Sequence, residues 1–158
     1  MDVRAHTAVA LTLTALGLVP GAAHLLEMPV KLGYPAELYA QVTSTLYAWY
    51  GIAGGALQVA AVVSVAAFAI RLRHSRALGL AVASAAALGI SLALWGALVA
   101  PVNSAWAEVS HANVVEFAAA YEHLRPRWEF GHLAAFIAWL TGWFGLVTLS
   151  TRDLTAPR

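Results

Sequence analysis

The sequence predicts an all-α integral membrane protein, a four-helix bundle with a short extracytoplasmic amphipathic helix between spans 3 and 4. Three observations predict it. Of 158 residues, 61% are hydrophobic and only 11% charged, with a mean hydropathy of +0.72, outside the range of soluble globular chains. Four apolar runs approach the ~20 residues that a helix needs to cross a bilayer. The basic residues are also divided unevenly between the segments that join those runs. One membrane domain, 1–158, accounts for the whole length, with spans expected at about 7–26, 45–70, 77–100 and 130–149.

The first run, Thr7 to Leu26, follows a short charged start at Asp2, Arg4 and His6. A cleaved signal peptide is its competing reading, because Gly21-Ala22-Ala23 resembles a cleavage site. Against that reading, Gly17 and Pro20 are residue types that spanning helices tolerate, and Gly17 with Gly21 forms a small-xxx-small face. Met28 to Gly33 reads as a loop leaving the membrane, and Pro35 suits the first turn of the next helix. That helix runs from Ala36 to about Arg71, too long for one crossing, so its first turns should project beyond the bilayer. Tyr47, Trp49 and Tyr50 mark the interface, and Gly51 and Gly55 offer a second close-packing face.

Arg71 to Arg76 is a short basic hairpin. The third run, Ala77 to Ala100, ends at Pro101. Residues 102–127 are polar enough to leave the membrane, yet Trp106, Val109, Phe117 and Leu124 keep near-helical spacing, which predicts a helix on the outer surface. Phe130 to Leu149 is the fourth run. Charge then sets the orientation. Arg4, Arg71, Arg73, Arg76, Arg152 and Arg158 share the side of the termini, against Lys31, Arg125 and Arg127 on the other. The positive-inside rule therefore places both termini in the cytoplasm of a multi-pass protein of the cell membrane.

Composition also excludes chemistry. Without cysteine there is no disulfide framework, thiol nucleophile or cysteine-held metal. A net charge of +1 without a basic patch excludes nucleic acid. The expected partners are the lipid bilayer and a small apolar ligand, with a homo-oligomer left open.

Two pairs of ionisable residues sit at the ends of apolar runs: His24 with Glu27, and Glu129 with His132 in reversed order. If the first and last helices are antiparallel, the two histidines lie level, and each carboxylate lies about 4.5 Å nearer the surface at 1.5 Å per residue. Ionisable groups in a span are costly, so four at one depth point to a catalytic or binding site. The alternative is a structural polar cluster in which Glu27 bridges Lys31 and Glu129 pairs with Arg125 or Arg127.

No cofactor is expected. Two histidines and one or two glutamates, His24, Glu27, Glu129 and His132, are alternatively a ligand set for a single metal ion, and facing histidines could be axial ligands to haem. Asn103, after Pro101-Val102, is either a donor to a developing oxyanion or a helix cap. Tyr47, Trp49, Trp106 and Trp128, with Arg127, are candidates to line a pocket for a flat apolar molecule, although interfacial aromatics also serve as anchors.

The blocks Ala23-His24-Leu25-Leu26-Glu27-Met28-Pro29-Val30-Lys31, Tyr47-Ala48-Trp49, Pro101-Val102-Asn103, Leu124-Arg125 and Arg127-Trp128-Glu129-Phe130-Gly131-His132 carry a resemblance. In order along the whole chain, they resemble small bacterial four-span membrane proteins grouped with the anthrone-oxygenase-like superfamily. The resemblance implies oxidation of a phenolic polycycle by O₂ without metal or flavin. Asn103, Trp128 and His132 match the residues that look functional in that family. His132 would then abstract an acidic proton, a neighbouring carboxylate would set its tautomer, and Asn103 or Arg127 would stabilise the anion.

Overall fold

In the computed structural model, which describes residues 2–152, every long element is helical. Arg158 of the charge count lies outside the described residues. Four helices are long and apolar enough to cross a membrane: α1 (Val3–Lys31), α3 (Tyr50–Arg71), α4 (Leu78–Glu108) and α5 (Val114–Ser150). The remaining long helix, α2 (Ala36–Trp49), runs directly into α3. In the bundle α1 packs on α3 and α5, and α4 packs on the same two, so the spanning helices form a ring in the order α1, α3, α4, α5. Asp2 caps α1 by accepting from the Ala5 N–H, and Asn113 caps α5 by accepting from Val115 and Glu116. One end of the bundle carries the termini and the basic hairpin; the other carries the 32–35 and 109–113 connections and is called the loop end below.

The helices run past the expected boundaries. Residues 28–31 are helical although Pro29 lies among them, so the expected loop is confined to 32–35. Residues 102–108 and 114–127 are helical, but in place of the separate surface helix expected they extend the two flanking spans: α4 continues through Pro101 to Glu108, and α5 begins at Val114 and continues through Pro126. Proline normally breaks a helix because it frees the carbonyl four residues back. At Pro101 that carbonyl belongs to Ala97, and Arg127 Nη2 donates to it at 3.1 Å. The freed acceptor is thus met from α5.

Three irregular turns occur in the spans. Near Leu18 in α1 the Leu18 N–H bonds Ala15 instead of Thr14, and Trp139 Nε1 donates to the Thr14 carbonyl at 2.9 Å. Gln58 Nε2 donates to the next free carbonyl, Gly17, at 3.0 Å. In α3 and α4 the segments Tyr50–Gly54 and Trp95–Val99 are wound as π turns, a geometry that recurs at functional sites. Gly54 packs against Pro20, and Gly131 packs against Leu98 and Val99, so these two glycines seat the irregular turns. Gly17 and Gly21 do mark close approaches, against Trp139 and Phe136. Gly51 and Gly55 do not. Nothing lies within 4 Å of where their side chains would begin, because α3 turns that face to open space.

Candidate functional site

α1 and α5 bring His24 and His132 into ring contact, with centroids 4.0 Å apart and planes tilted by 32°. Their hydrogen bonds fix opposite tautomers. Lys31 Nζ lies 3.4 Å from His24 Nδ1, and an ammonium has only donors to offer, so Nδ1 accepts and Nε2 carries the proton. His132 Nδ1 lies 3.0 Å from the Trp128 carbonyl, which only accepts, so Nδ1 donates and, in the neutral ring, Nε2 keeps a bare lone pair. Side by side, the two rings present one N–H and one lone pair.

Lys31, which sequence reasoning placed only as a partner of Glu27, belongs to this site. It is buried and salt-bridged to the buried Glu129 at 3.1 Å, and its ammonium lies over the rings of Tyr47 (4.6 Å) and Trp128 (5.2 Å). A signal was present: Lys31 is seven residues from His24, about 20° off its direction at ~100° per residue, whereas Glu27 is about 60° off. Tyr39, which sequence reasoning missed, donates to Glu129 Oε1 at 2.7 Å. Burial, and then the adjacent Glu129 carboxylate, push the Tyr39 hydroxyl well above the usual tyrosine range, so it remains a neutral donor. Arg125 covers the Tyr39 ring at 4.3 Å and donates to the carbonyls of Leu32 and Tyr34, tying the 32–35 connection to α5.

Several expectations change. Glu129 pairs with Lys31, and not with Arg125 or Arg127, because Lys31 reaches it from α1 while the two arginines are engaged on backbone carbonyls. Glu27 is apart from this network: its Oε2 is buried without a partner, and the expected bridge to Lys31 is replaced by the Lys31–Glu129 pair. No carboxylate orients His132; the Trp128 carbonyl does. Among the described residues no group of three His, Asp or Glu side chains is placed to hold a metal ion. Trp49 is 70% exposed and points away, as an anchor would.

The histidines line a cavity of about 740 Å³. Its walls include Tyr47, Trp106, Trp128 and Asn103 toward the loop end, and Gln58, Ser91 and Trp139 toward the middle of the bundle. Asn103 Oδ1 accepts from Trp128 Nε1 at 2.7 Å, holding that indole edge-on against His24. Tyr47 stacks on His24 at 4.5 Å, and its hydroxyl is buried without a protein partner. A buried hydroxyl in that condition is costly, and Tyr47 lines the cavity with its ring. Volume and lining suit a small molecule, mostly apolar, held by a few convergent polar atoms. Comparison with models of protein families, with curated proteins and with solved structures finds no match to the chain. The functional reading therefore rests on this geometry.

Proposed function

We propose that this membrane protein is an oxygenase-like redox enzyme acting on a flat apolar aromatic of phenol or quinone type. The observation that carries the reading is the His24–His132 pair, two neutral imidazoles in opposite tautomers in the wall of an aromatic cavity. His132 Nε2 takes the proton from an acidic hydroxyl or benzylic C–H, and His24 Nε2–H donates to the oxygen on which negative charge develops. Lys31, held by Glu129 behind His24, polarises the imidazole that makes the bond. The carbanion then reduces O₂: for a ring CH₂ oxidised to a carbonyl, one oxygen atom enters the product and the other leaves as water. The excess of basic residues at the termini supports placing the cavity in the outer half of the bilayer.

The test is O₂ consumption by purified protein with hydroxylated anthrone-type aromatics, read together with quinone absorbance. We expect one product per O₂, and His132→Ala to lower kcat at least ~100-fold while circular dichroism is preserved. A second reading is favoured by the absence of any carboxylate at either histidine: a non-catalytic binder of the same molecules. Tight, saturable binding without O₂ uptake would establish that reading and overturn the enzymatic one.

A further inference from the structure

The cavity is longer than a flat aromatic needs. On α5 its lining runs from Tyr121 to Trp139, about 27 Å at 1.5 Å per residue, nearly the ~30 Å of a bilayer's hydrocarbon layer. Its two imidazoles lie at one level, with Asn103, Ser110 and Tyr121 adding polar side chains toward the loop end. Tyr47 Oη, the buried polar atom left without a partner in this wall, sits beside His24 and His132. Toward the middle of the bundle, Gln58, Ser91 and Trp139 each commit a donor to a backbone carbonyl, of Gly17, Ala135 and Thr14. That part of the wall therefore offers a ligand chiefly hydrocarbon and ring surface, including Leu92 and Phe136.

The same part opens sideways. α3 and α4 make contact within Gly55–Arg71 and Leu78–Leu94; in the first turns of the former Val59, and just outside the two segments Ile52 and Trp95, line the cavity and are 54%, 67% and 39% exposed. Side chains that face both a cavity and the outside of a spanning bundle form a mouth toward lipid. Gly51 and Gly55 widen it, since both line the cavity and a side chain added at either would meet open space.

Resting on the site reading given above, we propose that the substrate is a membrane-resident amphiphile. Its phenol- or quinone-type head meets His24, His132 and Tyr47, and its alkyl or prenyl tail lies along Leu92 and leaves between α3 and α4 at Ile52, Val59 and Trp95. The head supplies polar atoms to the two imidazoles, and the tail fills the more apolar length below them. Entry is lateral, because the tail stays in hydrocarbon throughout and loses no hydrophobic stabilisation on the way in.

Photo-crosslinking of the full chain in lipid nanodiscs tests this. Two probes share a 1,4-benzoquinone head and a decyl tail, with a diazirine either on the ring or at the tail end, and excess unlabelled decyl-benzoquinone is the competitor. The expected result is competable ring labelling at Tyr47 or Trp128 and competable tail labelling at Val59, Leu92 or Trp95. Gly55→Trp should cut the tail labelling at least fivefold. Gly51→Phe is the second obstruction, should the first variant misfold. Ring labelling in the site with the tail label at Ala107 or Ser110 would overturn the lateral tail path and leave the site reading standing. So would tail labelling that both obstructed variants leave unchanged. Absence of competable labelling by either probe would overturn both.

Discussion

At the end that carries the termini, Phe68, Leu72, Ala81 and Leu149 close on one another, and Val65, Leu88, Trp139 and Leu146 continue the packing toward the middle. At the loop end the buried cluster is Tyr39, Tyr47, Trp106, Tyr121 and Trp128, threaded by Lys31, Glu129 and Arg125. The first region is held by shape, with small residues letting helices approach, as in other spanning bundles. The second is held by directed bonds among groups that are expensive to place there. A charge network and two facing imidazoles give a bundle little that aliphatic packing would not supply, so they single out the loop end as the candidate site.

That contrast can be broken most severely at the Lys31–Glu129 pair. Glu129→Leu leaves a buried ammonium without its counter-ion and should cost about 3–5 kcal/mol, whereas Lys31→Met combined with Glu129→Leu should recover most of the loss. Reversible unfolding in detergent measures both. In the shape-held region, Gly142→Leu would drive a side chain into Leu88 and the Ser84 carbonyl, and should destabilise by about 1–3 kcal/mol. Gly55→Leu, which meets open space, should stay within about 0.5 kcal/mol. Between the regions, Trp139→Phe removes the donor to the Thr14 carbonyl at the irregular turn of α1 and should cost about 1 kcal/mol. The smallest effect belongs to Arg127→Ala, about 0.5 kcal/mol or less, because the side chain is exposed and water can take over the Ala97 carbonyl. A large loss of kcat in that variant would return Arg127 to the site and blur the division.

Four spans and the level placement of His24 and His132 were legible in the sequence, since hydropathy marks the spans and antiparallel packing fixes relative depth. Helix ends were not legible at Pro29, Pro101 and Pro126. Whether a proline breaks a helix depends on a partner for the carbonyl it frees, and at Pro101 that partner, Arg127, comes from another helix. The pairing of Glu27 with Lys31 failed for a related reason. An i,i+4 rule sees only one helix, and Lys31 found Glu129 on α5. Tyr39 carried no local signal at all; its role exists only because α2 packs against α5 at Glu129. Gly51 and Gly55 had the spacing of a packing face, but the mouth between α3 and α4 leaves them unpacked.

The most direct measurement is of the two imidazole tautomers, by ¹⁵N spectra of histidine-labelled protein assigned with His24→Gln and His132→Gln variants. The expected spectrum at neutral pH has His24 protonated at Nε2 and His132 protonated at Nδ1, with Lys31→Met releasing His24 from its tautomer while His132 keeps its own. Finding both rings in the same tautomer, or both as imidazolium, would contradict the donor and acceptor roles on which the site depends.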